Sequence, residues 1–198
     1  MTASRLALAG LSVALLAAPA TASAQTKALE VDAFGGVSRA LRVESSDEHR
    51  IWSRNGGESF ALGAVYRSPY FLSPFVDFAY YPYFASQETR DVGPPFGSLR
   101  STNSLSVVAI TAGAAYDVWR LRFRAGIGTH QLRVSSTVLG ERIEPREIDM
   151  GYAFGVAGWL LMRHRVRIGA EARVVLVVES DMPILALGAT IGGDAISW

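Results

Sequence analysis

The sequence predicts an all-β chain: an eight-stranded antiparallel up-and-down transmembrane β-barrel that follows a cleaved N-terminal signal peptide. Three observations carry the prediction. Segments of strand length alternate apolar with polar or small residues, the links between them alternate between tight and long, and the first 24 residues have a secretory layout. The alternation is plainest at Arg165–Val174, where Arg165, Arg167, Glu171 and Arg173 fall on odd positions and Val166, Ile168 and Val174 on even ones. A strand sends successive side chains to opposite faces, so this stretch has one apolar and one ionic face. The even face is expected to meet lipid and the odd face a lumen.

Arg5 is the only charge ahead of an apolar run from Leu6 to Ala18. Pro19 breaks the run, and Ala22-Ser23-Ala24 gives a small-x-small cleavage pattern before Gln25. The run is too short to span a bilayer as a helix, which fits a signal peptide over 1–24 and a barrel domain over 25–198. The chain has no cysteine, which excludes a lipid-anchored lipoprotein, a disulfide framework and a thiolate metal site. Loss of Arg5 turns 19 basic and 18 acidic residues into 18 of each. That balance gives no reason to expect a nucleic-acid partner. Charges interrupt every later apolar stretch, which argues against a helical membrane protein.

Eight segments alternate. Over about 28–38, Leu29, Val31 and Ala33 oppose Glu30 and Asp32; over 58–67, Phe60, Leu62, Ala64 and Tyr66 oppose Ser59, Ala61, Gly63 and Arg67. Over 72–81, Val76, Phe78 and Tyr80 oppose Asp77 and Ala79; over 104–117, Val108, Ile110, Ala112, Ala114 and Tyr116 oppose Thr111 and Gly113. Over 120–134, Leu121, Phe123, Ala125 and Ile127 oppose Arg122, Arg124, Gly126 and Gly128. Over 149–161, Tyr152, Phe154, Val156 and Leu160 oppose Gly151, Ala153, Gly155, Ala157 and Trp159. The seventh segment is the ionic stretch extended through Leu176, and the eighth, 184–198, presents Leu185, Leu187, Ala189 and Ile191. No apolar face contains a charge, as a lipid-facing surface requires.

Tight links fall at Ser68-Pro69, Val118-Trp119 and Arg163-His164; long ones at 39–57, 82–103 and 135–148, with a short last one near Glu179-Ser180-Asp181. This sorting predicts short turns on one side of a membrane and long loops on the other. Aromatic residues gather at both ends: Tyr66, Tyr116 and Trp119 by the turns, and Tyr80, Tyr81, Tyr83 and Tyr152 by the loops. They read as two headgroup-level belts.

On these features the mature chain resembles the small eight-stranded bacterial outer-membrane barrels of the OmpX and OmpA-barrel type. The resemblance implies a cell outer membrane location, contact with outer-membrane lipid and lipopolysaccharide, a monomer, and delivery by the barrel-assembly machinery through a last strand ending in aromatic Trp198. Asp194, not Leu185–Ile191, shares parity with Trp198. Either a bulge near Gly192-Gly193 resets the register, or the last residues extend past the barrel. With the chain ending at Trp198, no appended peptidoglycan-binding domain is expected.

The inward faces bring together Glu30, Asp32, Arg67, Asp77, Arg122, Arg124, Arg167, Glu171 and Arg173, with Asp117 set aside at a turn. Five arginines nearly balance four acids. Eight strands enclose a lumen just wide enough for its own side chains, so the set reads as a buried ion-pair lattice, with a narrow gated pore as the alternative. Small inward residues at 151–157 leave room for guanidinium groups. Inward Gly169 is expected to accept a serine, whereas outward Ala170 is not expected to accept an arginine.

No enzymatic activity, cofactor or metal is expected. His130 is the one histidine within a predicted strand; Ser135 and Ser136 lie nearby without a spacing that suggests a nucleophile pair, and His49 and His164 fall on other elements. Asn55-Gly56-Gly57 reads as a turn. The expected function is a non-enzymatic outer-membrane barrel serving envelope integrity or surface interaction through its long loops. The alternatives are a pore, a lipid A-modifying enzyme, and a secreted lipocalin-like carrier with the strand faces inverted.

Overall fold

The computed structural model describes residues 27–41, 50–91, 98–138, 141–163, 165–179 and 182–197. The segment 1–24 expected to be a signal peptide, with His49, His164 and Trp198, lies outside them. The described residues form ten strands: β1 Ala28–Ala40, β2 Arg50–Arg54, β3 Gly57–Arg67, β4 Ser73–Asp91, β5 Ser98–Val118, β6 Leu121–Val138, β7 Glu141–Ile143, β8 Arg146–Arg163, β9 Val166–Val177 and β10 Met182–Ser197. All but β2 and β7 make the barrel wall. Each pairs antiparallel with its chain neighbours, and β1 closes the ring against β10, for example at Asp32↔Gly192 and Val37↔Leu187.

The turn end is tight, as expected. Two residues, Trp119-Arg120, join β5 to β6. The five-residue link 68–72 is pinned by Ser68: its Oγ accepts from the Tyr70 N–H (3.1 Å), and its own N–H donates to Ser73 Oγ (3.3 Å). The loop end differs from expectation. Much of the predicted loops at 39–57, 82–103 and 135–148 is strand: β4 and β5 stay paired out to Asp91↔Ser98, β2 adds to β4 at Trp52↔Gln87, and β7 folds back on β6 at Ser136↔Ile143. At 21 residues, β5 is about twice the 9–11 that a tilted strand needs to cross a bilayer. Above the membrane the outer face no longer meets lipid, so backbone pairing continues while the apolar outer row stops.

All eight outward faces are as predicted: Val31, Leu62, Phe78, Ile110, Ile127, Val156, Ile168 and Leu187 are exposed, while their chain neighbours point inward. This is the reverse of a lipocalin-like soluble barrel. Tyr80 lies against Phe60 (5.4 Å between centroids) on the outer face, and Phe71 meets Tyr116 edge-on at the turn end. Tyr81 and Tyr83 depart from the predicted belt and are buried in the lumen. Both share parity with inward Asp77 and Ala79, and the bulge at Pro82/Phe84 then shifts the inward set to Ser86.

The register of the last strand is reset by a bulge, though not at the glycines. Leu29 pairs with Ile196 and Glu30 with Asp194, so the extra residue is Ala195. Ile196 thereby returns to the outer face, exposed beside Leu29.

Candidate functional site

The lumen has two layers. The loop-end half is apolar: Phe34, Tyr81, Tyr83, Leu105, Val107, Leu132, Val175, Val177 and Ile184 pack together with several alanines. The turn-end half is ionic and contains all nine charged residues read from the inward faces.

Its lower tier centres on Glu30, which is 0% exposed. Arg122, from the facing wall and also 0% exposed, donates Nη1 and Nη2 to the two Glu30 oxygens (2.9 and 2.8 Å). Arg67 reaches Glu30 Oε2 at 3.3 Å, and Arg167 forms a close ion pair with the same oxygen. The upper tier joins Asp32 to Arg124 through both guanidinium nitrogens, Arg124 to Asp77 (3.5 Å), Asp77 to Arg173 (3.3 Å), and Arg173 Nε to Glu171 Oε1 (2.8 Å). Arg122 and Asp32, 3.8 Å apart, link the tiers.

Two further acids belong to the lattice. Asp117 is the direct cross-strand partner of Arg122 and accepts from its Nε and Nη2 at 2.6 and 2.7 Å. The sequence signal was available, because a two-residue turn at 119–120 places 117 opposite 122. Asp194 accepts from Arg67 (3.0 Å) and lies 3.8 Å from Arg167. It shares parity with inward Thr190 and Gly192, and the bulge comes only after it, at Ala195, so its inward aim was legible in the alternation. The five arginines therefore face six carboxylates.

Small residues and aromatic rings complete the fit. A Cβ on Gly63 would stand 2.1 Å from Asp77 Oδ1 and 2.6 Å from Asp32 Oδ1, so only glycine leaves these carboxylates their positions. Gly155, predicted to make room for arginines, faces Arg124 Cβ and Glu171 Oε1 at ordinary contact distance. The Trp159 indole stands between the Arg122 and Arg167 guanidiniums, at 5.6 and 5.2 Å from its ring centroid. Arg173 lies over Phe34 at 4.8 Å, where ionic and apolar layers meet. The space left within the upper tier, bounded by Asp77, Arg124, Glu171 and Arg173, is about 20 Å³. That is room for a single water molecule.

His130 and Asp149 are cross-strand partners, both buried in the apolar half. Gly151 makes space for the imidazole, since a Cβ there would come 2.7 Å from the ring. The nearby serines are engaged elsewhere: Ser136 Oγ donates to Asn103 Oδ1 (2.7 Å), and Ser135 Oγ accepts from Arg142 Nε (3.2 Å). Among the described residues no group of three or more His, Cys, Asp and Glu side chains could hold a metal ion.

No protein-family model and no curated protein sequence matches the chain. Solved structures do. Ail, the attachment invasion locus protein of Yersinia pestis, superposes with a TM-score of 0.57 at 12% identity, over 85% of this chain and 99% of that one. Ail in complex with the heparin analogue sucrose octasulfate gives 0.55 at 11% identity, over 85% and 99%. Neisserial surface protein A gives 0.50 at 18% identity, over 84% and 96%. The chain has the fold of the small outer-membrane β-barrels. At these identities the likeness is one of fold, and the lumen lattice and rim are read from this chain's own residues.

Proposed function

We propose that the chain, matured by removal of residues 1–24, works in the outer membrane as a non-enzymatic barrel whose lumen is plugged by its own side chains. On this reading its work is done at the loop end, in envelope integrity or surface interaction. The observation that carries it is Arg122, wholly buried and held by carboxylates on β1 and β5 at once. A pore would need that span left open. The tall β2–β4–β5–β6–β7 sheet above the bilayer offers the contact surface. The barrel acts as a monomer and is delivered by the barrel-assembly machinery.

Contact with lipopolysaccharide is supported at the outer rim. Arg133 on β6 and Arg146 on β8 are directly opposed and exposed, just above the outward Ile148, Met150 and Tyr152. Like charges placed opposite one another repel, and an anionic phosphate between them removes the cost. Membrane fractionation tests the location: the chain is expected in the outer membrane and resistant to high salt and alkaline carbonate. Recovery from the soluble periplasm or the medium would reject it.

A further inference from the structure

The lattice closes the lumen but leaves a vestibule below it, open at the turn end, with a volume of about 230 Å³. Its walls carry three kinds of group. Arg67, Arg165 and Arg167 supply positive charge, Asp117 and Asp194 supply acceptors, and Trp119 and Trp159 supply indole faces. Four of the five charged groups are engaged in the lattice. Arg165 is not: among the described residues it makes no ion pair, and it sits exposed at the rim with only its backbone carbonyl used, by the Asp194 N–H (3.0 Å).

Trp119 is the second, independent sign. It occupies the first central position of the two-residue β5–β6 turn with φ 54°, the one non-glycine residue with positive φ among the described residues. That position favours glycine, and a bulky side chain there is strained. The indole packs little against the protein, being 86% exposed, yet it edges the vestibule and is backed by Arg120 at 5.6 Å. Strain kept without packing gain points to a role outside folding.

We propose that the vestibule binds a small acidic sugar. A free guanidinium fork suits a carboxylate, an exposed indole offers a flat apolar face to the C–H side of a pyranose ring, and Asp117 and Asp194 can accept from its hydroxyl groups. The space admits one ring with its substituents. Entry is from the turn side, independent of whatever the loops contact.

Ligand-observed NMR on the folded barrel in detergent micelles tests this with three probes: glucuronate, glucose (the ring without the charge) and acetate (the charge without the ring). Glucuronate should bind about tenfold or more tighter than either, and Arg165→Ala or Trp119→Gly should each weaken it about tenfold. Arg165 takes no part in the lattice, and glycine relaxes the turn at 119, so both variants should keep wild-type heat-modifiability. Glucose or acetate binding as tightly as glucuronate would overturn the proposal. So would unchanged glucuronate affinity in both folded variants, or no glucuronate binding by the wild type.

Discussion

Asp117 and Arg122 face each other across a two-residue turn of the barrel, and the guanidinium that holds Asp117 by Nε and Nη2 also holds Glu30 by Nη1 and Nη2. One side chain thus ties a hairpin to the opposite wall. Arg122→Ala would leave two carboxylates facing each other without their shared cation. Breaking a buried pair in this way typically costs about 3–5 kcal/mol. Urea unfolding in detergent should show a loss of that size for Arg122→Ala, and a large loss for Arg122→Lys as well, because an ammonium cannot form both bidentate contacts.

The two faces of a strand should respond very differently. Ala170 points to lipid, and an arginine there costs about 2–4 kcal/mol at the bilayer midplane. Inward Ser59, whose buried hydroxyl has no hydrogen-bond partner among the described residues, should tolerate alanine with little change. A folding assay by heat-modifiability should separate Ala170→Arg from Ser59→Ala clearly. Equal tolerance would contradict the face assignment.

Gly169→Ser, an inward change that parity alone marks as tolerable, should instead impair folding. A Cβ at Gly169 would stand 2.1 Å from the Gly158 carbonyl oxygen. Parity reports which way a residue points and is silent on how closely the neighbouring backbone approaches. The same limit explains the rest of the comparison between sequence and structure. The outward faces from Val31 to Ile191 were legible because the bilayer demands an unbroken apolar row on each strand. Residues 82–91 were not legible as strand, since the bulge at Pro82/Phe84 shifts the alternation so that Tyr83 and Ser86, of opposite parity, both face inward. Nine lattice members followed from parity; Asp194 shares the parity of inward Gly192 and was obscured only by placing the bulge at the glycines instead of after it, and Asp117 by a turn one residue later than expected. The apolar upper lumen, with Tyr81 and Tyr83, was hidden because apolar residues on both faces leave no contrast to read.

Gly151→Ala should destabilise the loop-end half by driving a methyl against the Leu176 carbonyl oxygen, 2.6 Å away, and the His130 ring, 2.7 Å away. The cost should be coupled to that ring. In a double-mutant cycle, Gly151→Ala should cost less in a His130→Ala background, the part set by the Leu176 backbone remaining, and simple additivity would contradict the packing described.

At the outer rim, Arg133→Ser/Arg146→Ser should leave stability in detergent unchanged or slightly raised, since it removes a repulsive cross-strand pair. Adding purified lipopolysaccharide should raise the thermal midpoint of the wild type and raise that of the double variant far less. Equal shifts would place the lipid contact elsewhere.

The central claim is that the lattice from Glu30 to Glu171 closes the lumen, and planar-bilayer recording of the wild-type barrel tests it most directly. The buried Arg122–Glu30 and Arg124–Asp32 pairs bridge facing walls of the lumen, so little or no steady conductance is expected. A stable, well-defined open conductance from the wild type would contradict the account and make the barrel a pore.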